Sequence, residues 1–173
     1  MITKIDTKIP TKTNQRIIDL LYKANGWGFG FDGHQDDTYD VNKLDAGFLM
    51  RTYDQNQPYV NSESLNAYGS TIVDIVEKNC FLKFKKINRF CWNWYNRNSY
   101  MEWHPDMENA KFYSIIYNLH NNDGGTDIKV NDEVNFCKSN ESEAILFPSL
   151  LWHRGVAPKE NLNRFCLNIM VEI

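Results

Sequence analysis

The residues best suited to do chemistry in this sequence are His104-Pro105-Asp106, then His153 well downstream, then Arg164. Residues two apart on an extended segment point the same way, so His104 and Asp106 can hold one metal ion, and His153 can close the site from a neighbouring strand. Two imidazoles and one carboxylate on one side of a metal form the facial triad of non-haem Fe(II) oxygenases, which leaves positions open for substrate and O2. A lone histidine is more often a hydrogen-bonded structural residue than a ligand. Here the joint spacing and the arginine that follows tilt the choice. A buried guanidinium is costly without an anion, and a planar carboxylate suits it best.

Those side chains need elements to hold them. Two stretches read as amphipathic helices: residues 13–25, with Ile17, Ile18, Leu20 and Leu21 at helical spacing and Gly26 just beyond, and residues 61–79, with Leu65, Tyr68, Ile72, Ile75 and Val76. From Phe81 onward the period becomes two. Residues 86–95 split into Phe90, Trp92 and Trp94 against Arg89, Cys91, Asn93 and Tyr95. Residues 111–120 split into Tyr113, Ile115, Tyr117 and Leu119 against Ser114, Ile116 and Asn118. Residues 164–171 split into Phe165, Leu167, Ile169 and Val171 against Arg164, Cys166, Asn168 and Met170.

Turn signals at Asp123-Gly124-Gly125, Asn131-Asp132 and Ser139-Asn140 separate short strands, which predicts an antiparallel sandwich or barrel rather than a βαβ fold. If the helices cover the greasy faces, the polar faces line the interior. The expected organisation is one domain, with N-terminal helices and a long loop in residues 1–80 and a β core in residues 81–173. The aperiodic stretch 27–59 reads equally as a substrate-facing loop or an irregular arm.

The 173-residue chain carries 19 basic and 22 acidic residues, a formal charge of −3, so no broad positive field speaks for nucleic acid or anionic membranes. No apolar run approaches the roughly 18 residues of a membrane span, and the N-terminus lacks a signal-peptide core, so a cytoplasmic protein is expected. The four cysteines, Cys80, Cys91, Cys137 and Cys166, form no Cys-x-x-Cys pair and read as reduced packing residues.

Taken together, His104-x-Asp106, Gly124-Gly125-Thr126, the run from Ala144 to Ser149 leading to His153-Arg154-Gly155-Val156, and Asn163-Arg164-Phe165-Cys166-Leu167-Asn168 resemble the Fe(II)/2-oxoglutarate-dependent oxygenases. Within them the chain is most similar to the compact prolyl-4-hydroxylase-like branch, including small members carried by marine phages, over residues 87–171. The resemblance implies a mainly β fold with flanking helices, a double-stranded β-helix or jelly roll, with His104, Asp106 and His153 as iron ligands. It also implies 2-oxoglutarate chelating the iron, its distal carboxylate on Arg164, and O2 and ascorbate as further requirements.

Tyr95, Asn93 and Asn118 are carried over as co-substrate contacts, with satisfied core residues as the plainer reading. Where some members place a serine two residues after the arginine, this chain has Cys166, a weaker donor. The retained carboxylate of Asp106 favours hydroxylation over halogenation. The implied substrate is a protein or peptide, with a peptidyl proline first, or a small molecule. The alternatives are a non-catalytic jelly-roll domain that binds metal and 2-oxoglutarate, and a cupin-type metal enzyme that uses no co-substrate.

Other motifs are decoys. His34-Gln35-Asp36 lies in no strand pattern, the literal G-x-G-x-x-G from Gly28 to Gly33 has no βαβ context and carries Asp32, and Asp36-x-Thr38-x-Asp40-x-Asn42 lacks the glycine and glutamate of a calcium loop. His120 reads as structural or solvent-exposed at a turn. Trp92, Trp94, Trp103 and Trp152 read as core residues, with a substrate groove as the other use for them.

Overall fold

A computed structural model describes residues 1–29, 47–55 and 62–173 of the chain. The elements run β1 (Thr3–Asp6), α1 (Thr11–Lys23), β2 (Gly28–Phe29), β3 (Phe48–Asp54), α2 (Glu63–Asn79), β4 (Lys86–Asn96), β5 (Phe112–Asn118), β6 (Gly125–Val130), β7 (Glu133–Lys138), β8 (Glu143–Pro148), β9 (His153–Val156) and β10 (Asn163–Glu172). The strands form two antiparallel sheets: a seven-stranded one in the order β1-β8-β5-β10-β4-β3-β2, and a three-stranded one in the order β7-β6-β9. This is the antiparallel sandwich that the alternation and turn signals predict, in the jelly-roll form that the resemblance implies.

The period-two segments account for the layering. Phe90, Trp92, Ile115, Tyr117, Phe165, Leu167 and Ile169 pack with Leu21, Leu65, Ile72 and Val76 of the helices in one core. The opposite faces of the same strands meet the small sheet in a second core, where Tyr95, Ile116 and Cys166 pack with Ile128 and Cys137. Greasy faces therefore lie under the helices and the polar faces turn inward between the sheets. That placement costs free energy unless the inward polar groups find partners.

Helix α1 begins two residues before the expected start, with Pro10 in the extended conformation at its N-cap, and ends before Gly26, whose φ is 115°. The turn Asn131-Asp132 joins β6 to β7 with φ values of 50° and 64°, the left-handed pair a two-residue hairpin needs. Residues 1–80 supply more than helices and a loop: β1 pairs with β8 and β3 with β4. His34, the glycines Gly30 and Gly33, the calcium-like stretch and most of the aperiodic segment lie outside the described residues. Among the described residues, no helix is long and apolar enough to cross a membrane.

Candidate metal centre and arginine pocket

The segment holding His104 and Asp106 runs along the outer edge of β9. His104 and His153 form a reciprocal backbone bridge, with N···O distances of 3.0 and 2.9 Å, and the Asp106 amide donates to the Ser149 carbonyl at 3.0 Å. This pairing aims all three side chains inward. One ligand atom from each of His104, Asp106 and His153 lies within 4.8 Å of the other two, and His153 Nε2 is 3.5 Å from Asp106 Oδ2.

The imidazoles are set for coordination. Each Nδ1 lies 2.9 Å from a backbone carbonyl, of Glu102 for His104 and of Leu151 for His153. A carbonyl only accepts, so both Nδ1 atoms carry hydrogen, which leaves Nε2 as the nitrogen each ring can offer a metal ion. His153 Nε2 is buried with no hydrogen-bond partner, and burial lowers the pKa of this ring, keeping it neutral.

Asp106 is the negative pole. Burial alone would raise its pKa, but the Arg89 guanidinium and the Ser114 hydroxyl hold it well below the usual carboxylate range. Arg89 Nη2 donates to Oδ1 at 2.6 Å, Ser114 Oγ to Oδ2 at 2.6 Å, and Asn168 Nδ2 to both oxygens at 3.4 and 3.2 Å. Arg89, Ser114 and Asn168 were not singled out from sequence, although each sits on a face written there as polar. Which carboxylate they would meet depends on strand register, which local pattern does not carry.

Arg164 lies on the same inward face. Its side chain is fully buried, its guanidinium stacks 4.9 Å from the Tyr95 ring centre, and Nη2 donates to Thr126 Oγ1 at 3.2 Å and more distantly to Asn118 Oδ1 at 3.5 Å. Arg164 Nε and Nη1 are buried without partners, and among the described residues no carboxylate pairs with it. A guanidinium buried in this way costs free energy unless an anion meets it.

Asn93, Tyr95, Cys166 and Asn168 line, with His104 and His153, a narrow cavity of about 20 Å³. Asn118 instead braces Arg164 and donates to the Glu143 carbonyl at 3.4 Å. Met101 also lines the cavity, its Sδ accepting from the Gly155 amide at 3.2 Å and from Tyr95 Oη at 3.6 Å. Burial raises the pKa of the Cys166 thiol, so it stands beside the pocket as a neutral, weak donor.

His120 is structural, accepting from the Phe165 amide at 3.1 Å. The tryptophans divide. Trp92 is fully buried and Trp94 packs on Phe165, but Trp103 is half-buried with the cations of Lys129 and Arg154 against its ring, and Trp152 is 52% exposed, so neither of these two is a core residue. Side chains alternate along β9 and the paired segment, so turning His104 and His153 inward turns their tryptophan neighbours out. A separate groove of about 550 Å³ lies between α2 and β4 and contains none of these site residues.

No protein-family model matches the chain, and no curated protein matches its sequence. Solved structures match its fold. A prolyl hydroxylase from Trichoplax adhaerens, in complex with a hypoxia-inducible-factor peptide, aligns with a TM-score of 0.72 at 12% identity over 99% of this chain and 83% of its own. A viral collagen prolyl hydroxylase from Paramecium bursaria Chlorella virus-1, as its 2-oxoglutarate complex, aligns at 0.63 and 13% identity over 99% and 96%. An α-ketoglutarate-dependent non-haem epimerase of nogalamycin biosynthesis aligns at 0.73 and 7% identity over 98% and 76%. The chain thus has the jelly roll of the prolyl hydroxylases and other Fe(II)/2-oxoglutarate oxygenases, a likeness carried by the fold and not by overall sequence.

Proposed function

We propose that the chain is an Fe(II)/2-oxoglutarate-dependent dioxygenase that hydroxylates a C–H bond, with a peptidyl proline as the first substrate to test. One observation carries the reading: a three-ligand cluster and a buried arginine with two unpartnered nitrogens share one face between the sheets. His104, Asp106 and His153 would hold iron, and the residues present fit it, since two neutral nitrogens and one carboxylate are a preferred Fe(II) donor set. Bound iron supplies O2 activation, with the overall balance 2-oxoglutarate + O2 + R–H giving succinate + CO2 + R–OH.

The chain's own residues do the rest. Glu102 and Leu151 carbonyls fix the ring tautomers. Arg164, held by Thr126 and Asn118, pairs with the distal carboxylate of 2-oxoglutarate, which satisfies the nitrogens now left without partners. Tyr95 backs that guanidinium and Asn93 lines the path toward the metal. Met101, unbranched and adaptable, is the side chain best able to give way when the co-substrate enters. Ascorbate would be the accompanying reductant. The prolyl substrate is supported by the two prolyl hydroxylases of the same fold, one of them in complex with a peptide.

The test is anaerobic loading with Fe(II) and 2-oxoglutarate, followed by O2 with and without proline-rich peptides. Succinate that requires iron, O2 and an intact Arg164 supports the reading. Loaded protein that forms no succinate with peptides, lysate or alone removes it. A +16 Da product in lysate identifies the substrate.

A further inference from the structure

The carboxylate proposed to bind metal is not free to choose how it binds. Asp106 Oδ1 is taken by Arg89 Nη2 at 2.6 Å, an ion pair whose aspartate side chain is only 4% exposed. Oδ2 receives Ser114 Oγ at 2.6 Å and faces His153 Nε2 at 3.5 Å. Arg89 is fixed by β4, which pairs with β10 on one side, opposite Met170, and with β3 on the other, opposite Asp54.

We infer that Arg89 is a positioning residue that makes Asp106 a one-oxygen ligand and shifts the charge of the site in favour of a dianionic co-substrate. The inference rests on the functional reading above. Two neutral imidazoles and one carboxylate sum to −1, but with Arg89 the set sums to zero. A divalent ion then leaves +2 at the centre in place of +1, with the Arg164 cation on the same inward face. A chelating carboxylate would close one of the positions that the co-substrate and O2 need, and the Arg89 hydrogen bond holds the second oxygen away from that role. The arrangement exchanges metal affinity for co-substrate affinity. Like charges in a poorly solvated site repel, so Arg89 weakens the hold on M²⁺ and strengthens the hold on a dicarboxylate.

The experiment uses Co(II), which occupies such a site without turnover, in the full chain at one pH. Wild type, R89K, R89Q and R89M are titrated calorimetrically with Co(II) and then, loaded, with 2-oxoglutarate. The expected result is a split: R89Q and R89M bind Co(II) about tenfold tighter and 2-oxoglutarate about tenfold weaker, each decade being about 1.4 kcal/mol. R89K keeps the charge and stays within about threefold of wild type in both constants.

A merely structural arginine would weaken both affinities together, and that common loss, or no change in either constant, overturns the inference. Melting curves establish folding, and if R89M does not fold, R89Q and R89K still decide the matter. Wild-type protein that binds no Co(II) overturns the functional reading itself, which separates that failure from a failure of the arginine's role.

Discussion

Substituting Gly155 by alanine would test the proposed co-substrate pocket with the smallest change available. A Cβ at this position would stand 2.2 Å from Tyr95 Oη, 2.4 Å from Cζ and 2.5 Å from Cε1. Carbon contacts need about 3.5 Å, so the ring must retreat by about 1 Å. It has little room, being 2% exposed and held between the Arg164 guanidinium and Met101. Overpacking of this kind costs about 1–3 kcal/mol. For a chain of this size that amounts to a melting temperature lower by about 2–12 °C.

The displaced ring would also disturb Arg164, so 2-oxoglutarate should bind more weakly to Co(II)-loaded G155A, while the Co(II) affinity falls less. Shrinking the ring in the same background, G155A with Y95L, should recover part of the lost melting temperature, a coupling that a double-mutant cycle reads directly. If G155A melts within about 1 °C of wild type and binds 2-oxoglutarate unchanged, the close packing of Tyr95 on β9 is not as described.

Asn14 Oδ1 accepts from both Tyr68 Oη at 2.6 Å and Tyr117 Oη at 2.8 Å in a buried network tying α1 to α2 and β5, so N14A should cost about 2–4 kcal/mol in denaturant unfolding; a loss below about 0.5 kcal/mol would contradict that role. Gly69 lets α2 approach the sheet, since its Cβ would meet the Phe90 ring at 2.8 Å; G69A should therefore destabilise by about 1–2 kcal/mol, against the gain alanine brings to an open helix position, and a higher melting temperature would refute this.

Asp123 accepts backbone amides from Lys159, Glu160 and Asn161, which lower its pKa to about 2 from 3.8. A depressed carboxylate stabilises the fold fully above the unfolded value and loses that contribution as pH falls through the folded one. Wild type should outlast D123N on heating near pH 6, with the gap closing between about pH 4 and pH 2; a gap independent of pH would point to another cause.

The sequence was most legible where chemistry and period coincide. β4, β5 and β10 alternate cleanly, and that alternation distinguishes the helix-facing surface from the inward polar face. β1 escaped notice because four residues with one buried side chain, Ile5, are too short to show a period. β3 escaped because a register shift between Arg51 and Tyr53 breaks its alternation.

In the site, the His104, Asp106 and His153 cluster could be read from spacing because two of its members share one extended turn of chain. Arg89, Ser114 and Asn168 could not be assigned a role, since each reaches Asp106 from a different strand. Met101 gave no signal at all, as a methionine in a loop looks like any packing residue. The outward placement of Trp103 and Trp152 follows from the inward histidines beside them, once the backbone pairing of His104 with His153 is known.

The most direct test of the account is anomalous diffraction from crystals grown with Mn(II) and 2-oxoglutarate, Mn(II) serving as a redox-quiet stand-in for iron. The account predicts one metal peak bounded by the Nε2 atoms of His104 and His153 and by Asp106 Oδ2, with the distal carboxylate of 2-oxoglutarate on Arg164. A peak elsewhere, or 2-oxoglutarate bound away from Arg164, would contradict it.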